Sequence, residues 1–153
     1  MEKYLVDYTM FEVMNMIIGM NPYFMFNGTG IEAVRFYEDV FNAEVMEFQT
    51  YADLPNAKEG DDNLLLHANL KIGQNEIMLS DTDPDHPIEA GTHISVAVVT
   101  DDADETSDIF RKIRENGGEE AMPLQETFFS PAYGKVKDKY GIEWQLSTMK
   151  RDE

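Results

Sequence analysis

The feature that most restricts how this chain can fold is a pattern of elements that occurs twice. The strand-like stretch "PYFMFN" (22–27) leads into a helical stretch "IEAVRFYEDVF" (31–41), and "HISVAVVT" (93–100) leads into "DDADETSDIFRKIREN" (101–116). The strand starts at 22 and 93 lie 71 positions apart, and so do the helix starts at 31 and 102. Three strand-like stretches follow each helix: 43–51, 63–72 and 75–81 in the first unit, then 119–128, 132–138 and 142–149 in the second. Residue identity between the halves is low, so the repeat is one of pattern alone. One helix covers only one face of a four-stranded sheet, so a single unit cannot close its own core and two must pair. The spacing therefore predicts an α+β fold of tandem βαβββ modules, with a curved mixed sheet around a cleft. Module one spans 20–91 with its covering loop, module two spans 92–149, and 150–153 is a tail.

Local signals agree with that division. Ile31, Val34, Tyr37 (or Glu38) and Phe41 form an inner stripe on the first helix, and Asn42 suits the left-handed residue that ends it. On the second helix the stripe is Ala103, Thr106, Ile109, Phe110 and Ile113. Asp102 followed by Glu105 reads as a capping box, and Gly117-Gly118 stops the helix. Gly73-Gln74 is a hairpin turn, and 52–62 and 81–92 are surface loops over the cleft.

Residues 1–19 precede the repeat. Asp7 and Glu12 interrupt the apolar part of "MEKYLVDYTMFEVMNMIIGM", so it is neither a secretory signal nor a membrane span. Tyr4, Tyr8, Phe11 and Ile18 approximate helical spacing, which leaves two readings: a short amphipathic helix, or an extension upstream of a domain that starts at Met20. Thirty acidic residues against 12 Lys plus Arg give a net charge of −18, a surface that repels nucleic acid and anionic lipid. No cysteine is present, so there is no disulfide, thiolate zinc site or thiol nucleophile, and a cytoplasmic setting is expected.

Strand parity sorts the side chains that face the cleft. In 64–72, Leu64, Leu66, Ala68, Leu70 and Ile72 share one face, and His67, Asn69 and Lys71 the other. Met78 and Ser80 lie with Glu76; His93 and Ser95 with Ala97 and Val99; Gln145 with Glu143 and Ser147. The expected concavity is mixed, polar and apolar, with few charges, which suits a small molecule.

The duplicated βαβββ plan resembles the vicinal oxygen chelate superfamily of glyoxalase I, bleomycin-resistance proteins and extradiol dioxygenases. More narrowly, "NPYFMFNGTGIEAVRFYEDVFNAEV", "LLHANLKIGQNEIMLSD" and "QETFFSPAYGKVKDKYGIEWQL" are similar to its PhnB-like branch, over roughly residues 20–149. The resemblance implies a homodimer. It also implies four metal positions, which fall at Pro22 or Tyr23, at Met78 or Ser80, at His93 and at Gln145. Only His93 is a usual ligand; Gln145 stands where glutamate is usual, and the other two depart. Zinc or nickel needs at least three donors of adequate basicity. His67 or Glu126 would have to complete the set.

Each candidate has a structural alternative. His93 reads as a metal ligand or as a cavity-lining hydrogen-bonding residue, and His67 as a substrate-binding or acid–base group or as a satisfied strand histidine. Gln145 and Glu126 read as ligand contacts or as ordinary sheet residues; Trp144, Phe128 and Phe129 read first as core, with the two phenylalanines at the pocket as the alternative. "DTDPDHPIEAGT" (81–92) lacks the glycine and the last-position glutamate of a calcium loop, and "GTG" (28–30) is a turn. No fingerprint for S-adenosylmethionine or a nucleotide occurs, and no cofactor is assigned. The sequence thus favours a small-molecule-binding protein whose pocket is His67, Met78, Ser80, His93, Ser95, Glu126 and Gln145. One alternative is a metal-dependent lyase, isomerase or dioxygenase using a divalent ion at His93 and Gln145. A second is an acidic interaction domain meeting a basic partner.

Overall fold

The computed structural model describes residues 16–152. Residues 1–15, which hold most of the segment read as a helix or an extension, lie outside the described residues. The elements are β1 (Tyr23–Phe26), α1 (Gly30–Phe41), β2 (Glu44–Thr50), β3 (Leu65–Ile72), β4 (Asn75–Asp81), β5 (Val96–Thr100), α2 (Ala103–Glu115), β6 (Glu119–Gln125), β7 (Tyr133–Lys137) and β8 (Glu143–Thr148). This is the expected α+β arrangement, βαβββ twice. Each module forms one four-stranded mixed sheet, ordered β1-β4-β3-β2 and β5-β8-β7-β6, with β1–β4 and β5–β8 parallel and the other pairs antiparallel.

Three local differences from the sequence reading have physical causes. Strand β5 begins at Val96 rather than at His93, because Val96 pairs with Trp144 and β8 runs out at Glu143. His93 sits instead on an exposed bend ahead of the strand. Strand β6 ends at Gln125 rather than at 128: Gln125 is the last residue paired to β7, and the chain then turns, with Ser130 N–H donating to Thr127 Oγ1 at 3.1 Å. The β2–β3 ladder shifts register between Gln49 and Thr50, opposite His67 and Leu65, which leaves Leu66 as an extra residue. This β-bulge turns Leu65, not Leu66, into the core beside Ala68 and Leu70. The Asp102 cap also differs: its side chain accepts from Asp104 N–H, and the reciprocal Glu105 contact of a capping box is not part of it.

The core is shared between modules on the helix side of both sheets. Trp144 of β8 packs against Phe24 of β1 and Tyr37 and Phe41 of α1, with ring centroids 5.8, 5.5 and 4.7 Å away. Buried Asp138 accepts from Tyr37 O–H (2.6 Å) and Trp144 Nε1–H (2.9 Å), and its other oxygen takes the N–H groups of Tyr140 and Ile142. The Tyr37 phenol is raised well above its ordinary range by burial and by the Asp138 charge. In module one, buried Asp81 accepts from the N–H groups of Gly28, Gly30 and Leu65, tying the start of α1 to two strands. Gly30 permits this approach, since a Cβ there would lie 2.9 Å from Leu65 Cβ and 3.0 Å from the Asp81 carboxylate.

Candidate functional site

With both helices and the inter-module contact on one side, each sheet keeps an open face. On the first sheet, Tyr23, Met78, Asn69 and Glu47 stand opposite one another in a row across β1, β4, β3 and β2. His67 follows on the same face of β3. The Tyr23 hydroxyl reaches over β4 to His67 Nδ1 at 2.8 Å, and Glu47 Oε2 lies 3.3 Å from His67 Nε2. With the ring proton on Nε2, on the side of the Glu47 carboxylate, Nδ1 accepts the Tyr23 O–H. The result is a row of three groups, Tyr23 bonded to His67 and His67 facing Glu47. Beside it, Asn69 Nδ2 donates to Glu76 Oε2 at 3.1 Å, while Asn69 Oδ1 is buried without a partner. Tyr23 and Met25 are 46% and 39% exposed, so the chain has aromatic and thioether surface at its edge.

On the second sheet's open face, Tyr133 O–H donates to Gln145 Oε1 at 2.9 Å, and Gln145 Nε2 donates to Ser95 Oγ at 2.6 Å. Phe129 stacks edge-on against Tyr133 (5.0 Å) and Phe128 (5.2 Å), and Phe128 is 87% exposed. The two phenylalanines are therefore surface groups beside this chain, not core, whereas Trp144 is core at 1% exposure.

The residues singled out in the sequence thus fall into separate places. His67 and half-buried Met78 share the first face, and Ser95 and Gln145 share the second. Ser80 is buried, and its hydroxyl donates to the Leu66 carbonyl at 2.8 Å, which secures the β-bulge. His93 and Glu126 lie on exposed segments outside the strands. A groove of about 800 Å³ runs between the modules, with Pro22, Asn75, Glu76, Val98, Trp144 and Met149 among its walls, and none of the pocket residues named from the sequence lines it. Among the described residues no three His, Asp or Glu side chains converge as metal donors. Tyr23, Glu47 and Tyr133 were not named as pocket residues. Parity alone hides Glu47, because a second register shift, between Val45 and Glu47, resets which β2 residues face His67 and Asn69.

The fold and these faces define a glyoxalase/bleomycin-resistance-like α+β protein. The family described as 3-demethylubiquinone-9 3-methyltransferase matches residues 19–147, and the chain belongs to this PhnB-like family. Protein PA1353 from Pseudomonas aeruginosa is 27% identical with a TM-score of 0.80, over 88% of this chain and all (100%) of that one. The PhnB protein from Bacillus cereus is 29% identical with a TM-score of 0.72, over 84% of this chain and 98% of that one. Protein YjdN of Escherichia coli (strain K12) is 26% identical over 143 residues, 86% of this chain and 96% of the relative. No helix among the described residues is long and apolar enough to cross a membrane.

Proposed function

We propose that this PhnB-like protein binds a small neutral or cationic molecule on the open face of its first sheet, as a cytoplasmic homodimer and without a resident metal ion. One observation carries the reading: exposed Tyr23 and Met25 stand beside a histidine whose Nδ1 is bonded to Tyr23 and whose Nε2 faces the Glu47 carboxylate at 3.3 Å. Ligand sites place a few oriented polar groups beside apolar surface, as here. Glu47, Glu76 and the net charge of −18 disfavour an anionic ligand. A second copy of the chain would cover the second sheet's open face and its exposed Phe128 and Phe129.

The metal that the superfamily implies does not fit the residues at the four positions. Tyr23 donates to His67, Ser80 holds the β-bulge, His93 stands on an exposed bend, and the Gln145 amide is engaged at both ends. The test is a thermal-shift screen of neutral and cationic aromatic compounds against wild type and His67→Ala, with light scattering for the dimer. Calorimetric titration of Zn²⁺, Ni²⁺, Mn²⁺ and Fe²⁺ into wild type and His93→Ala accompanies it. Stabilisation that His67→Ala abolishes is the expected result. Stoichiometric metal binding lost in His93→Ala would overturn the metal-free reading, and a screen with no compound that discriminates His67→Ala would overturn the binding site.

A further inference from the structure

The Tyr23–His67–Glu47 chain has the connectivity of an activated nucleophile: a hydroxyl on a base, and the base oriented by a third group. Other tyrosines of the described residues lack that connection. Tyr133 donates to the neutral Gln145 amide and Tyr51 to the Asp81 backbone carbonyl, neither of which can take a proton at neutral pH. Tyr37 is buried against Asp138. Tyr140 stands against the Glu32 carboxylate, and burial with that carboxylate holds its phenol well above the ordinary range. Tyr23 alone among them combines an exposed ring with an imidazole acceptor.

We propose that Tyr23 is a catalytic nucleophile that takes an acyl group from a neutral or cationic ester, an inference that rests on the first open face being the ligand site. Its phenol oxygen attacks the ester carbonyl carbon while the phenolic proton passes to His67 Nδ1. Glu47, 3.3 Å from Nε2, stabilises the imidazolium by its charge. The bond from carbonyl carbon to leaving oxygen then breaks, and that oxygen takes the proton from Nδ1. Water attacks the resulting aryl ester, gives its proton to Nδ1, and the tyrosine oxygen leaves and recovers it. The sum is ester plus water to acid plus alcohol, with no other reactant. Tyr23 and Met25 supply apolar contact for the ester body, and the acidic surround selects against anionic esters. His67 exchanges the proton with the reacting oxygens and is catalytic alongside Tyr23, whereas Glu47 acts through His67 and is a positioning residue.

The experiment uses the full chain with para-nitrophenyl acetate, following nitrophenolate release and locating acetyl groups by peptide mass mapping. Acetylation at Tyr23 is expected to run about a hundredfold faster than at Tyr133, the range that a positioned base contributes. Tyr23→Phe should abolish the enzyme-dependent release. His67→Ala should lower it by a similar factor and be restored by added imidazole, a rescue that a purely structural role would not show. Glu47→Gln should lower it about tenfold, the smaller share expected of an orienting group. Melting curves verify that each variant is folded. Labelling of Tyr23 no faster than Tyr133, release unaffected by Tyr23→Phe, or no imidazole rescue would each overturn the inference. A compound that still stabilises wild type and not His67→Ala would then leave the binding reading standing, so the two failures are distinct.

Discussion

Replacing Asp138 with asparagine tests the account of how the modules are joined. The carboxylate takes four donors: Tyr37 O–H at 2.6 Å and Trp144 Nε1–H at 2.9 Å on one oxygen, and the N–H groups of Tyr140 and Ile142 at 2.9 and 3.0 Å on the other. In Asp138→Asn the amide oxygen can keep the two backbone donors, which points Nδ2 at Tyr37 and Trp144. The tyrosine hydroxyl can rotate to accept. The indole N–H cannot, and two donors then face each other in a site where Trp144 is 1% exposed. A buried donor left unpartnered costs about 1–3 kcal/mol, and the lost charge assistance adds to it, so a destabilisation of roughly 3 kcal/mol is expected. For a chain of this size that lowers the melting temperature by roughly 6–12 °C. Tyr37→Phe removes one hydrogen bond to a charged group and should cost about 2 kcal/mol. It should cost less in the Asp138→Asn background, where that bond is already weakened. The chain has one tryptophan, so urea unfolding followed by Trp144 fluorescence reports from beside the perturbation. A change below about 0.5 kcal/mol for Asp138→Asn, the size typical of a surface substitution, would refute the argument.

Other substitutions test separate features. Gly118→Ala would place a Cβ 2.4 Å from the Ile113 carbonyl oxygen and 2.9 Å from that of Lys137, both backbone. A loss of about 2 kcal/mol or more in urea unfolding is expected, since neither neighbour can rotate away. Ser80→Ala removes the hydroxyl that secures the Leu66 carbonyl and should cost about 1 kcal/mol, with faster amide exchange along β3 as its local signature. Glu32 is held below the ordinary carboxylate range by its bonds to Lys139 and Tyr140. A carboxylate lowered on folding stabilises above its unfolded pKa and loses that contribution as pH falls through the folded one. Glu32→Gln should therefore flatten the acid side of the stability–pH curve slightly, the pair being half exposed.

Periodicity carried the element order well, because helix and strand repeats depend on local burial that the residues themselves encode. Asn42 adopts the left-handed conformation (φ 52°) that its place after Phe41 suggested, and Thr106, Ile109, Phe110 and Ile113 are buried as their spacing requires. Parity failed where the strands are irregular. The extra residue Leu66 exchanges the roles of Leu64–Leu66 and Leu65, and nothing in "NLLLHANL" marks it, since three consecutive leucines satisfy either register. His93 was misplaced for a non-local reason: "GTHISVAVVT" has strand character throughout, but only residues opposite β8 can pair. The Tyr23–His67 contact joins residues 44 positions apart across an intervening strand, so no local signal announces it.

The same non-local logic explains why chemistry is assigned to one sheet and not the other. Both open faces carry a tyrosine hydroxyl donating to a neighbour that is itself held by a third group: Tyr23–His67–Glu47 on the first, Tyr133–Gln145–Ser95 on the second. Sharing the core through Trp144, Tyr37 and Asp138 leaves both chains on the sheet sides away from the helices. The difference lies in the middle group. An imidazole backed by a carboxylate can accept a proton and hold the charge that results, whereas an amide backed by a hydroxyl can only fix a geometry. The second face is therefore equipped to orient, with Phe128 and Phe129 as apolar surface, and the first is equipped to react. Gln145→His would give the second face the base it lacks but not the carboxylate behind it. Tyr133 labelling in that variant should rise toward, and stay below, that of Tyr23, whereas equal labelling would mean that Glu47 contributes nothing to the first site.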